Sequence, residues 1–250
     1  GQTCFDLGTL KCTYGTGAFV LMNNGDQPLN YLDKGLLSTI GWKIDNKSVY
    51  AIEGSAFCTG ATIQWLRDGL GLFDSVDDTE KMAFSVNDNG DVYFVPAFVG
   101  LGSPYWDPGA RALISGITRG STRSHLVRAA LESTAFQVRD IIDLIKRVSA
   151  DIGNNFSLKV DGGQTNNHFL MQFQADILDR PVEVSQVFET TALGTAFLAG
   201  LGLGIWANED DIVDLIKPPK LYEPNMKSSD RDRLYSGWLD ALNRSLSKRN

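Results

Sequence analysis

The stretch Leu158–Met171 reads LKVDGGQTNNHFLM, and its reading decides the fold. Leu158, Lys159 and Val160 form a short strand-like run that ends in Asp161-Gly162-Gly163. A polar turn follows at Gln164–Asn167, and an apolar-periodic segment begins at Phe169 and Leu170. The order predicts a strand, a tight turn and a helix N-terminus. Two adjacent glycines allow the backbone to approach a ligand closely, because no Cβ intervenes. The helix beyond them would present free N–H groups and the positive end of its dipole, which suits an anion such as phosphate. The stretch is neither a Walker A loop nor GxGxxG, so a βα turn without a ligand is the competing reading.

Downstream, Val182–Val184 reads as a short strand after Arg180-Pro181. Glu189–Trp206 (ETTALGTAFLAGLGLGIW) reads as a helix rich in small residues, suited to tight packing on a neighbouring helix or sheet. Glu189 and Thr190 at its start could alternatively meet a ligand. Pro218-Pro219 opens an extended crossing, and Asp230–Ser247 closes the chain as an amphipathic helix carrying Leu234, Trp238 and Leu242. The basic end Ser247–Asn250 suits a helix C-terminus. Upstream, Leu126–Val148 is the longest helix, with Val127, Leu131, Thr134, Val138, Ile142 and Ile145 on one stripe. Ser121 or Thr122 is its N-cap, and Gly153 is a natural stop. His125, near the first turn, reads as a surface or satisfied group.

In the first half, Lys11–Met22 (KCTYGTGAFVLM) is β-branched and aromatic with glycines at 15 and 17, so it reads as a strand or bent hairpin. Thr16, between those glycines, is unusually accessible, at a bend that either approaches a ligand or merely turns the sheet. Leu36–Ile44 and Val49–Ala51 read as two strands of a meander. Gly54–Leu72 changes to helical period, with Ser55, Thr59 and Gly60 near its start and Gln64 four residues after Gly60 on the same face. The small residues there serve either a ligand or an ordinary core contact. Asp74–Lys81 is an acidic, solvated helix start or connection without metal-ligand spacing. Asp91–Phe98 and Ala112–Thr118 read as strands. Between them Val99–Arg111 is a structured loop whose Tyr105, Trp106 and Asp107 either meet a substrate or another part of a larger protein, or pin the loop by aromatic burial. Strands early and βα alternation late predict an α/β fold with one mixed central sheet flanked by helices.

The bulk numbers set limits. The 250 residues are 43% hydrophobic and 21% charged, with a net charge of −7. This is ordinary globular composition. It carries no electrostatic footprint for nucleic acid or an anionic membrane, so a phosphate ligand would need local N–H groups. Three cysteines (Cys4, Cys12, Cys58) suggest free thiols in a reducing cytoplasm rather than a disulfide framework. No apolar run reaches transmembrane length, and only His125 and His168 offer imidazole ligands. The chain opens Gly1-Gln2-Thr3-Cys4, which suggests a domain from a longer protein, or else a processed or cloned start.

Taken together, TYGTGAF (Thr13–Phe19), AIEGSAF and GATIQWLRDGLGL within Ala51–Leu72, PYWDPGARALISGITRG (Pro104–Gly120), VDGGQTNNHFLMQFQADIL (Val160–Leu178) and ETTALG (Glu189–Gly194) are far more specific than any one of them. In this order they resemble the C-terminal, nucleotide-binding domain of the FGGY carbohydrate kinase family, in its glycerol-phosphorylating branch. The likeness covers essentially residues 1–250. It implies a fold like the ribonuclease H and actin ATPase domains, and a second, N-terminal domain across a cleft. It also implies ATP with Mg²⁺ held through the nucleotide phosphates, glycerol bound mainly by the other domain, and cytoplasmic localisation. A homo-oligomer is expected for the full-length enzyme.

By resemblance, Thr16 corresponds to the threonine near the phosphates, and Gly60 and Gln64 to the nucleotide-contacting residues of the first helix. Gly163 corresponds to the glycine under adenosine and phosphate, and Asn167 to the asparagine on the adenine side, with Asn166 as the alternative register. Where the family has two asparagines before Phe-Leu-Met, His168 replaces the second. The family's catalytic aspartate, in a Gly-Asp-Gln motif, is not in this sequence, so Asp161 and Asp107 are not assigned as a base. The resemblance therefore implies the ATP-binding half of a kinase that makes sn-glycerol 3-phosphate and is inactive alone. The alternatives are a non-catalytic nucleotide-binding or docking module, and a kinase for another polyol or sugar.

Overall fold

The computed structural model describes residues 1–149, 153 and 155–247. Its main feature is a seven-stranded mixed sheet in the order β3-β4-β2-β1-β7-β8-β9. The strands are β1 (Leu10–Tyr14), β2 (Ala18–Asn23), β3 (Leu37–Ile44), β4 (Lys47–Ala56), β7 (Leu158–Asp161), β8 (Val182–Val184) and β9 (Lys220–Tyr222). β5 (Tyr93–Val95) and β6 (Leu113–Ser115) pair separately as an antiparallel ribbon.

The Lys11–Met22 segment is the hairpin reading, with β1 and β2 antiparallel across Gly15–Gly17. The meander expectation is corrected. β4 runs on to Ala56 and inserts between β3 and β2, pairing with both, which leaves β3 at the sheet edge. The predicted Gly54–Leu72 helix is correspondingly shorter. Residues 54–56 stay in β4, and α1 spans only Gly60–Asp68. The ladder of β4 on β2 takes the backbone donors of 54–56, and this tertiary pairing overrides the local helical period.

α3 (Arg123–Val148) crosses one face of the sheet and buries Val127, Leu131, Val138, Ile142 and Ile145, the stripe read from sequence. Thr122 is its N-cap in a capping box with His125, whose ring Nδ1 lies 2.9 Å from the Thr122 hydroxyl, so His125 is a satisfied cap residue. The stop read at Asp151–Asn154 falls mostly outside the described residues, as do Lys248–Asn250 at the chain end. α4 (His168–Leu178) packs beside α3, and α7 (Ser228–Ser245) covers β5, β6 and the flank of α3. Phe136 of α3 stacks on Trp238 of α7 with centroids 5.3 Å apart. Two carboxylates of α3 are buried with partners: Glu132 takes Arg128 at 2.8 Å and Asn89 at 2.9 Å, and Asp140 takes Tyr235 at 2.7 Å and Trp238 at 2.9 Å.

α5 (Thr190–Gly202) lies on the opposite face, over Lys11, Leu21 and Trp42, with α6 (Glu209–Val213) following it. The expected Glu189–Trp206 helix ends early. Gly200 accepts the indole of Trp206 folded back against it, and Phe197 meets that ring edge-on at 5.6 Å. The tight packing expected of its small residues is only partial: Thr190, Phe197 and Gly200 are buried, while Leu203 is 78% exposed. The loop 99–111 is pinned internally. The Trp106 indole N–H donates to the Gly35 carbonyl at 2.8 Å, and the Asp107 carboxylate accepts from Ser247 and from the N–H groups of Gly109 and Ala110. Cys12 and Cys58 are buried and Cys4 half-buried, and all three are free thiols. Among the described residues no helix is long and apolar enough to cross a membrane.

Candidate functional site

The chemistry-bearing residues converge where β1 and β7, which run parallel with Thr13 level with Asp161, end together. β1 passes into the Gly15–Gly17 bend, and β7 into Gly162 and a 3-10 turn over Gly163–Asn166. Gly162 has φ +100°, and a Cβ there would sit 2.2 Å from the Tyr14 carbonyl oxygen, so only glycine lets the two bends nest. Against them packs the start of α1. Gly60 N–H donates to the Gly15 carbonyl at 3.2 Å, and the N–H groups of Thr59 and Ala61 donate to the Thr16 carbonyl at 3.0 and 3.1 Å. Gln164 ties all three segments together, its amide donating at 2.9 Å to both the Gly15 carbonyl and the Thr59 hydroxyl.

These walls enclose a cavity of about 470 Å³. Thr16, Gly60, Gln64, Gly163 and Asn167, the five residues singled out from sequence, all line it. Thr16 and Gln64 are exposed at its rim. Val76, Leu131 and Leu170 add an apolar lining, and the walls also carry Asp77 and Glu80. Those last residues come from the segment that leads into α2 (Asp78–Phe84) and from α2 itself.

One expectation is met only in part. The N-terminus of α4 has most, but not all, of its first-turn N–H groups already taken, Phe169 N–H having no acceptor among the described residues. The Glu80 carboxylate accepts the His168 N–H, Asn167 Oδ1 accepts Leu170 N–H at 2.9 Å, and the Asn167 carbonyl accepts Met171 N–H at 3.1 Å. A carboxylate from α2 already occupies the positive end of that dipole. Further candidate donors lie at the Thr16 bend, whose hydroxyl is bound to no other side chain among the described residues.

Asn167 is also the N-cap of α4, and its amide donates to Thr79 at 3.1 Å, so its polar atoms brace the cavity wall while Asn166 stays exposed. Sequence reading missed Gln164 and Glu80. Gln164 was legible only as a turn residue, and Glu80 sat in a run that read as solvated. Thr190 does not line this cavity, and its hydroxyl donates to the buried Asp161 carboxylate. Among the described residues no group of three or more His, Cys, Asp or Glu side chains could hold a metal ion.

Residues 10–203 match the model of the FGGY family of carbohydrate kinases, C-terminal domain. The chain belongs to the FGGY family of carbohydrate kinases. Its curated relatives in this family include glycerol kinase 2 of Thermotoga maritima, 55% identical over 98% of this chain and 49% of that protein. Glycerol kinase of Carboxydothermus hydrogenoformans is 54% identical over 98% of this chain and 48% of that protein. The chain thus spans about half the length of the FGGY relatives it matches. Among solved structures, glycerol kinase of Plasmodium falciparum with ADP superposes with a TM-score of 0.88 at 38% identity, over 99% of this chain and 49% of that one. A ligand-bound xylulose kinase of Lactobacillus acidophilus shares the fold, with a TM-score of 0.82 at 22% identity over 97% of this chain and 49% of that one. The mixed sheet with flanking helices is the actin-like ATPase fold of these FGGY sugar kinases.

Proposed function

We propose that this chain is the MgATP-binding half of a glycerol kinase, and that with an N-terminal domain it transfers the ATP γ-phosphoryl group to glycerol, giving sn-glycerol 3-phosphate. The observation that carries the reading is the convergence of Thr16, Gly60, Gln64, Gly163 and Asn167 on one cavity of about 470 Å³. That volume suits a nucleotide-sized ligand. The likeness to the ADP-containing glycerol kinase of Plasmodium falciparum supports the same ligand class.

Electrostatics orients the nucleotide. Asp77 and Glu80 line the cavity on the segment that bonds Asn167 and His168 at the start of α4, where a triphosphate would meet like charge. The base therefore lies on that side, against apolar side chains, and the phosphates lie at the Gly15–Thr16–Gly60 end. There the Thr16 hydroxyl and the backbone of the bend donate to phosphate oxygens, each such bond to a charged group contributing roughly 1.5–3 kcal/mol. Mg²⁺, held through the nucleotide phosphates rather than by side chains of this chain, would supply charge neutralisation for an in-line transfer. The base for the glycerol hydroxyl comes from the other domain. Asp161 cannot serve: it is 2% exposed, and its oxygens accept from Thr13, Gln2 and Thr190.

Calorimetry with MgADP and a coupled kinase assay test the proposal. The 250-residue chain binds MgADP without turnover, and turnover appears when the N-terminal domain is supplied. Thr16→Ala weakens MgADP roughly ten- to a hundredfold while thermal stability holds. Unaltered affinity in that variant removes Thr16 from the site, and failure of the parent chain to bind removes the reading.

A further inference from the structure

Behind the cavity, on the sheet face that α5 covers, lies a carboxylate-centred cluster that the nucleotide reading leaves unused. Asp161 is the last residue of β7 and is 2% exposed. Its Oδ1 accepts from the Thr13 hydroxyl at 2.6 Å and from the Gln2 amide at 2.9 Å, and its Oδ2 accepts from the Thr190 hydroxyl. Lys11 Nζ in turn donates to the Thr13 hydroxyl at 2.8 Å, and Lys159 Nζ donates to the carbonyls of Gln2 and Thr3 at 3.1 and 3.2 Å. Asp161 does not line the 470 Å³ cavity, and neither do Thr13, Thr190 or Gln2.

The placement is specific. Thr13 ends three residues before Thr16, and Asp161 two residues before Gly163, so one carboxylate fixes the end of each strand from which a cavity-lining bend springs. It also ties both bends to the first residue of α5 and to the Gln2–Thr3 segment. A buried carboxylate with several donors is rigid, and losing one partner leaves an uncompensated buried polar group.

We propose that Asp161 is a positioning residue for the phosphate end of the cavity, holding the Gly15–Gly17 and Gly162–Gly163 bends in mutual register and coupling them to α5 through Thr190. This role rests on the nucleotide reading above. It absorbs two motifs that the cavity leaves unexplained, the aspartate before the two glycines and the Thr-Thr that opens α5. It also predicts that a loss behind the sheet is felt more by the phosphates than by the base, which in that reading packs against Val76 and Leu170.

The test compares MgADP with adenosine by calorimetry on the 250-residue chain, adenosine being measured by displacement, together with thermal melting of each variant. Asp161→Asn is expected to weaken MgADP roughly ten- to a hundredfold, the scale of a misplacement of about 1 Å, and to leave adenosine within about twofold. Thr190→Val, which removes one donor and keeps the shape, moves MgADP in the same direction by less, and Thr190→Ser restores it. Thr190→Val carries the test if Asp161→Asn does not fold. Equal losses for MgADP and adenosine, or no loss, overturn the positioning role while the nucleotide reading stands. A parent chain that binds neither ligand overturns both.

Discussion

Gly60→Ala probes the contact on which the cavity depends. The α1 N-terminus and the β1–β2 bend meet with no room for a side chain: a Cβ on Gly60 would lie 2.5 Å from the Gly15 carbonyl oxygen and 3.3 Å from its carbon. The obstructing atom is backbone, so no rotamer relieves it, and the bend must retreat by about 0.9 Å to reach an ordinary contact of 3.4 Å. That retreat stretches the Gly60–Gly15 bond and the two bonds to the Thr16 carbonyl. Overpacking of this kind costs about 1–3 kcal/mol, and the stiffer unfolded chain offsets roughly 0.4–1 kcal/mol of it. The net loss of up to about 2.5 kcal/mol lowers the melting temperature by up to about 10 °C. The larger effect falls on the ligand. Thr16 rides on the displaced bend, and a shift approaching 1 Å weakens oriented contacts by roughly ten- to a hundredfold. Calorimetry with MgADP reads that loss, and melting curves confirm that the variant is folded at the assay temperature. Gly202→Ala, where a Cβ meets nothing within 4 Å, is the control and leaves affinity unchanged. A folded Gly60→Ala variant with parental MgADP affinity would refute the claim that this junction shapes the phosphate end.

Other outcomes follow from buried groups far from the cavity. Burial pushes the Asp140 carboxyl from 3.8 up to about 6, against the donors Tyr235, Trp238 and Tyr105. A folded-state value above the unfolded one means that its contribution is fully present below the unfolded value and fades as pH rises to about 6. Parental stability relative to Asp140→Asn therefore falls by about 2 kcal/mol between pH 4 and 6.5 and changes little above, as measured by urea denaturation. A difference independent of pH would show that this carboxyl does not titrate in that window. Burial also pushes the Cys12 thiol up to about 12. Ellman's reagent at pH 8 should therefore modify Cys12 only on unfolding, and prompt labelling of the native chain would contradict its burial.

Local sequence was informative wherever a residue's role is fixed by its own backbone or by near neighbours. The stripe on α3 and its Thr122 cap, the hairpin through Gly15–Gly17, and the strand–turn–helix at Leu158–Met171 were all legible, because periodicity, capping and glycine turns are short-range. The five cavity residues were singled out by the resemblance of their motifs to a family pattern, local reading alone having left each with a purely structural alternative, and they line one cavity.

What only the tertiary structure decided is what fills the donors those bends and helix ends provide. Free N–H groups at the start of α4 were a sound local expectation, yet Glu80, 88 residues away along the chain, occupies one of them. The insertion of β4 between β3 and β2, and the meeting of Asp161 with Thr13 and Thr190, are pairings at long sequence separation. Periodicity reports which face of an element is apolar. The partner of a polar atom depends on which distant element the packed core brings within about 3 Å, and that is a property of the whole chain.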